Sequence, residues 1–287
     1  MEYEISLLTT MGISVLFALS LNLITGFCGQ ISLGHAAFLG IGAYTAAMAG
    51  KAGVPFLATL PIAMVLAGAV GIVVGLASLR VRADFLAITT MGVGFLFVGF
   101  VRQQDWLGGE LGVSGIASTG LSKTAFMALT LALCVAAAAL SLYIRAAWMG
   151  RVFNGIAEDE DTMRVLGIDA PRYKLVAFAI GTALAGLAGA LYAYQLKFID
   201  PGSFGFVDSV TVLSMVVVGG IGSVTGVAIA AALLSALPAW FQFIGDYKLL
   251  MYGGLLFLMM RFAPGGLAAL AERFFTPTPD SGEPSQP

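Results

Sequence analysis

The chain has 287 residues, of which 59% are hydrophobic and 10% charged, with a formal net charge of -2 and a mean hydropathy of +0.95. Soluble domains carry roughly 25% charged residues, so this chain has too little polar surface to coat a water-soluble globule and its solvent is lipid. The net charge points to no partner. The two cysteines, Cys28 and Cys134, stand in apolar surroundings and supply neither a disulfide framework nor a zinc pattern.

Apolar runs of about 20 residues, the length that crosses a bilayer, recur from end to end. They are continuous rather than alternating, which selects helices over a membrane β-barrel. The acidic start Met1-Glu2-Tyr3-Glu4 lacks the positive n-region of a secretory signal. In chain order the candidate spans are 6–27, 33–50, 56–79, 85–101, 124–144, 175–194, 208–223, 226–243 and 248–262. The seventh is short and glycine-rich and reads as a broken or re-entrant segment, which is tolerated only where protein or a water-filled cavity surrounds it. The expected fold is an all-α polytopic membrane bundle of about nine helices, within a range of eight to ten. Residues 1–275 form its single domain. The proline- and serine-rich tail 276–287 is expected to be disordered.

Lysine and arginine set the orientation. If the 145–174 loop is cytoplasmic, Arg80, Arg82, Arg145, Arg151, Arg164, Arg172, Lys174, Arg261 and Arg273 lie inside, nine in all. Lys51, Arg102, Lys123, Lys197 and Lys248 lie outside, five in all. That balance puts the N-terminus out and the C-terminus in. An eight-span reading that fuses 208–243 sends Arg261 and Arg273 outside. The 37 glycines suit close helix approach, above all in 185–190 and 219–222.

Several chemistries are missing. There is one histidine, His35, and no HExxH or EF-hand pattern, so no metal site or Ser/His/Asp set can be assembled. No GxxxxGK[ST] loop occurs; Gly50-Lys51-Ala52 lacks the leading glycine and the hydroxyl. Ionisable groups within the spans are few, with His35 and Asp208 near span ends. Ion-coupled carriers place carboxylates at membrane depth, so energy for pumping is expected to come from outside the membrane. A membrane-embedded enzyme needs paired polar groups at depth, which the chain lacks, and a self-sufficient channel is the other reading set aside.

The charge gathers in one polar island, RAAWMGRVFNGIAEDEDTMRVLGIDAPRYK, residues 145–174. Glu158-Asp159-Glu160-Asp161 suits the first turn of a short helix, where carboxylates meet the positive end of the dipole. Arg164 follows Glu160 at i+4. Phe153, Ile156, Met163 and Leu166 fall roughly on one face. Gly167 suits the C′ position, and Pro171 prevents continuation. One or two short amphipathic helices near the membrane plane are expected, as a docking element, a solvated connector or a helix resting on lipid.

The glycine-ended acidic loop EDEDTMRVLGIDAPRYK resembles the EAA-type coupling loop of ABC importer permeases. The stretch from Leu21 to Tyr44, LNLITGFCGQISLGHAAFLGIGAY, is similar to the start of permeases of the branched-chain amino acid importers, in the LivM-like branch. Residues 185–190, 218–223 and 260–267 are similar to the same family. The resemblance runs in order over 5–270. It implies a permease subunit of the bacterial plasma (inner) membrane, paired with a LivH-like second permease. It also implies two cytoplasmic ATPase subunits that carry ATP and magnesium, and a periplasmic or surface binding protein. This chain itself is expected to be no enzyme, to bind no cofactor or metal, and to meet the lipid bilayer but no nucleic acid. The coupling role falls on Ile156, Glu158, Asp159, Glu160, Met163, Leu166 and Gly167. Thr162 and Met163 stand where the EAA pattern commonly has an alanine pair. The resemblance further implies two inverted halves, 6–144 and 175–262. Branched-chain or related hydrophobic amino acids are the implied cargo; urea or short amides are the alternative, because sister systems share these motifs.

Gln30, Ser32, His35 and Tyr44 read either as a polar lining at a broken helix or as structural groups, with Gln30 and Ser32 capping a helix and His35 hydrogen-bonded between helices. Gly219, Gly220 and Gly222 mark either irregular backbone beside the path or close packing.

Overall fold

The computed structural model describes residues 2–78, 86–240, 247–262 and 265–269. Arg80, Arg82, Arg273 and the tail 276–287 lie outside the described residues. Among those described, the chain is helical apart from short turns and one antiparallel pair, β1 (Val113–Ser114) with β2 (Phe198–Ile199), in the register Val113 to Ile199.

The long helices are α1 (Glu2–Asn22), α2 (His35–Lys51), α3 (Phe56–Ser78), α4 (Leu86–Gln103) and α5 (Lys123–Ala146). Two short helices follow, α6 (Trp148–Glu158) and α7 (Glu160–Val165). Then come α8 (Ala170–Leu196), α9 (Phe206–Gly219), α10 (Val224–Trp240) and α11 (Lys248–Phe262). Each candidate span overlaps a described helix, while residues 79, 85 and 241–243 of those spans lie outside the described residues. Among the described residues, five stretches are long and apolar enough to cross a bilayer by length and composition: Glu2–Phe27, Phe56–Ser78, Leu86–Gln103, Lys123–Ala146 and Ala170–Leu196.

Two boundaries move, each for a local reason. Helix α8 begins at Ala170 rather than 175, because the Asp169 side chain accepts from the Arg172 N–H and Pro171 sits in the first turn. Pro171 therefore opens a helix as well as closing the loop before it. The seventh span stops at Gly219, because Gly220 takes φ +103 and Gly222 φ +83, conformations that side chains disfavour. At 14 residues, α9 rises only about 21 Å.

The core is built on α8, which lies between α2 and α3. Close approach is written in glycine: a Cβ on Gly186 would lie 2.6 Å from the Ala63 carbonyl oxygen, and one on Gly189 would overlap the Leu39 carbonyl. Gly42 meets the backbone of Gly186 from the other side. Small residues at 185–190 thus give the smooth face expected of them. In lipid, where apolar side chains gain nothing by leaving the solvent, such backbone proximity is what binds helices together.

Tertiary contacts sort the connections into two ends. At one end Lys123 Nζ meets Glu2 Oε2 at 2.8 Å, Gln195 Nε2 donates to Ser6 Oγ at 2.9 Å, and the Tyr3 hydroxyl donates to the Ala239 carbonyl at 3.4 Å. The β-pair lies there too. At the other end Asn22 reaches Gly222, Gln30 reaches Lys174, and Gly266 packs on Gly220.

Candidate functional site: a docking loop tied to two helix breaks

The loop end carries α6 and α7. Helix α6 buries Val152, Phe153 and Ile156, a set one turn apart on one face. Phe153 is fully enclosed and packs edge-on against Tyr173, with ring centroids 6.4 Å apart. Helix α7 has no buried residue and is shaped by polar chemistry. Asp159 is its N-cap: Oδ1 accepts from the Asp161 N–H at 2.9 Å and the Thr162 N–H at 3.1 Å, and Oδ2 accepts from the Thr162 hydroxyl at 2.5 Å. The Thr162 hydrogen bonds hold the Asp159 carboxyl below its ordinary value.

The acidic run is therefore split. Glu158 ends α6, Asp159 caps α7, and Glu160 and Asp161 occupy the first turn of α7. Glu160 pairs with Arg164 at 2.7 Å and also with the Lys174 ammonium. Burial pushes the Glu160 carboxyl up, but its bonds to Lys174 and Arg164 outweigh this and leave it below its ordinary value. The C-terminus closes as a Schellman turn: Gly167, at φ +82, donates to the Arg164 carbonyl and Ile168 to the Met163 carbonyl.

The expected apolar face of the loop divides. Phe153 and Ile156 face the bundle, and Met163 packs over Gly155. Leu166 does not join them; it is 69% exposed, and its neighbour Val165 is 88% exposed. Ile156 is buried within the chain itself. Glu158, Asp159, Leu166 and Gly167 are exposed and Glu160 is half-buried.

The loop rests on the first helix break. Helix α1 passes into a π-helical turn, Leu23–Phe27, and the chain turns a corner before α2. Gly29 lies against Ala157 at the end of α6. The Gln30 side-chain amide donates to the Lys174 carbonyl at 3.1 Å. A cleft of about 560 Å³ runs along this junction, lined by Gln30, Ser78, Leu86, Glu158, Glu160 and Lys174 among others.

Neither Gln30 nor Ser32 caps α2: the N-cap is Gly34, with no side-chain cap. Instead the corner is held from outside, by Thr90 Oγ1 accepting from the Leu33 N–H and Ser209 Oγ from the Ala36 N–H, both at 3.1 Å. His35 is fully buried, stacked on Phe17, with Nε2 2.8 Å from Ser20 Oγ. Ser20 already donates its proton to the Phe17 carbonyl, so His35 Nε2 is the donor and Nδ1 a bare acceptor. That Nδ1, Ser32 Oγ and the Tyr44 hydroxyl are buried without a partner among the described residues.

The second break, 220–223, joins the first through a residue outside the expected site set. Asn22 Oδ1 accepts from the Gly222 N–H at 2.9 Å. Gly219 packs on the backbone of Val227 and Gly226. The signal for Asn22 in the sequence is a lone amide within an apolar run. Lys174, the other residue that sequence reasoning left out, has a main-chain role that no motif announces. Tyr44 sits apart from this cluster, edge-on to Phe97 and Phe204. Among the described residues no group of His, Cys, Asp and Glu is gathered to hold a metal.

The described residues form a multi-pass helical bundle whose exposed acidic helix is tied through Lys174 to the break that follows the first helix. Residues 4–260 match the family model of the permease component of branched-chain amino acid transport systems, and the chain belongs to that family, in its LivM-like branch. It is 36% identical to the LivM permease protein of the high-affinity branched-chain amino acid transport system of Escherichia coli, over 89% of this chain and 67% of that one. It is 28% identical to BraD of Pseudomonas aeruginosa over 90% of this chain and 92% of that one. It is 32% identical to LivH of Escherichia coli over 47% of this chain and 44% of that one. No solved structure matches the chain.

Proposed function

We propose that this chain moves branched-chain or related hydrophobic amino acids inward across the bacterial inner membrane, as one permease of a pair. The second permease is LivH-like. Two cytoplasmic ATPase subunits, with ATP and magnesium, supply energy at loop 145–174, and a binding protein delivers substrate at the opposite end. The observation that carries this reading is the exposed helix α7, capped by its own carboxylates and tied through Lys174 to Gln30 at the break of the first helix. A push on α7 therefore reaches membrane backbone directly.

Nine crossings fit this reading, with the N-terminus outside. In its support, α1 begins at the end where Glu2 meets Lys123 and finishes at the break that meets the docking loop. Residues 1–275 then form one permease domain, and the two breaks at 23–34 and 220–223 flank its path.

The test is a complex of this chain with its second permease and ATPase subunits, reconstituted in liposomes. Deleting Glu158–Leu166 should abolish ATPase co-purification and leucine uptake; intact binding and uptake would refute the coupling assignment. Labelled leucine should be displaced by isoleucine and valine and not by urea.

A further inference from the structure

A second cavity, half-open and about 210 Å³ in volume, lies toward the end opposite the docking loop, among α1, α2, α8, α9, α10 and α11. Its apolar wall is formed by the buried side chains of Ile13, Phe17, Leu39, Val212 and Met215. Its polar wall carries one carboxylate, Asp208, in the first turn of α9, and several hydroxyls. No lysine, arginine or histidine lines it among the described residues.

Five of the lining hydroxyls are acceptors, because their protons are committed. Thr10 donates to the Ser6 carbonyl at 3.0 Å, Thr211 to Val207 at 2.8 Å, Ser235 to Ala232 at 3.0 Å and Tyr252 to Leu234 at 3.0 Å. Ser203 donates to Asp200 Oδ2 at 2.6 Å. A hydroxyl has one proton and two lone pairs, so what these groups offer the cavity is lone pairs around a carboxylate. Such a wall suits a donor-rich cation and repels an anion. An engineered cavity of about 150 Å³ holds benzene, so this one has room for a solute of about eight to ten heavy atoms.

We propose that this cavity is a binding site for an aliphatic amino acid read by its ammonium group. Asp208 and the neighbouring hydroxyl oxygens take the ammonium, the apolar wall takes the branched side chain, and the carboxylate faces the open mouth and water. The site is distinct from Gln30, Ser32, His35 and Tyr44. It rests on the permease reading above and names where and how that permease holds its cargo.

The experiment measures equilibrium binding of labelled L-leucine to the reconstituted complex, with two competitors. Isoamylamine keeps the ammonium and the branch; isocaproate keeps the branch and the carboxylate. Isoamylamine should displace leucine, and isocaproate should not. Asp208→Asn should weaken both leucine and isoamylamine by about tenfold or more, with ATPase assembly unchanged. Ser14→Phe fills the cavity from a half-buried position on α1 and should abolish binding, which keeps the test decisive if Asp208→Asn does not fold. Displacement by isocaproate as strong as by the amine, unchanged binding in either folded variant, or a cavity filled only by lipid would overturn the assignment. Failure of this site leaves leucine uptake and its dependence on loop 145–174 intact. Failure of the permease reading instead removes uptake from the wild-type complex.

Discussion

The Gln30 side-chain amide donates to the main-chain carbonyl of Lys174 at 3.1 Å, and the Lys174 ammonium holds Glu160 of the docking helix. One residue thus joins a helix that faces water to a break inside the membrane.

Gln30→Leu removes that donor, but the Lys174 carbonyl keeps its place in the α8 hydrogen-bond ladder, so the cost is about 0.5–1.5 kcal/mol. The protein should still fold and assemble, because the anchors Phe153 and Ile156 are untouched. ATP hydrolysis should continue while leucine uptake falls, so the quantity to measure is leucine moved per ATP. An unchanged ratio would mean the bond does not transmit.

Acid should loosen α7 before it loosens the bundle. The folded Glu160 carboxyl lies below its ordinary value of 4.5, so its contribution is fully present above that value. It is lost as pH falls through the lower, folded one. Amide hydrogen exchange at residues 159–167 should accelerate only below about pH 4.5. Glu160→Gln should exchange fast at neutral pH and lose the share of that step that Glu160 contributes, leaving the share of the Asp159 cap.

Val165→Asp and Leu166→Asp alter side chains that are 88% and 69% exposed. Exposed substitutions commonly change stability by no more than about 0.5 kcal/mol. Both variants should therefore unfold at the wild-type temperature while recovering less ATPase subunit in a pull-down. Full recovery would exclude this patch from the docking surface.

Asn22→Ala strips the Gly222 N–H of its acceptor and should cost about 1–3 kcal/mol. A lowered midpoint of thermal unfolding in detergent, with uptake reduced more than ATPase binding, is the expected pair of results.

Gly189→Leu forces a side chain into the Leu39 backbone, where no rotamer relieves the overlap. The cost exceeds the 1–3 kcal/mol usual for overpacking, and little folded protein should be recovered. Gly92→Ala, where nothing lies within 4 Å of the added Cβ, serves as the control with unchanged yield.

Sequence alone determined what depends on local chemistry. Lipid solubility follows from composition. The pair of Glu160 with Arg164 and the turn at Gly167 are settled within a few residues, and both were legible; the cap at Asp159 is as local, but the acidic run read as a single first turn. Tertiary structure decided whatever joins distant segments. Gln30 and Lys174 are 144 positions apart, and Asn22 and Gly222 are 200 apart. Gln30 and Ser32 looked like caps because capping is a short-range pattern, yet Thr90 and Ser209 hold that corner from other helices. Leu166 looked like a partner of Ile156 because helical spacing was carried across a break, and Asp159 ends that spacing by starting a new helix. In a chain this apolar, hydrophobicity is nearly uniform and cannot say which helices touch. That choice falls to glycines and a few hydrogen-bonding side chains, whose partners exist only once the bundle has formed.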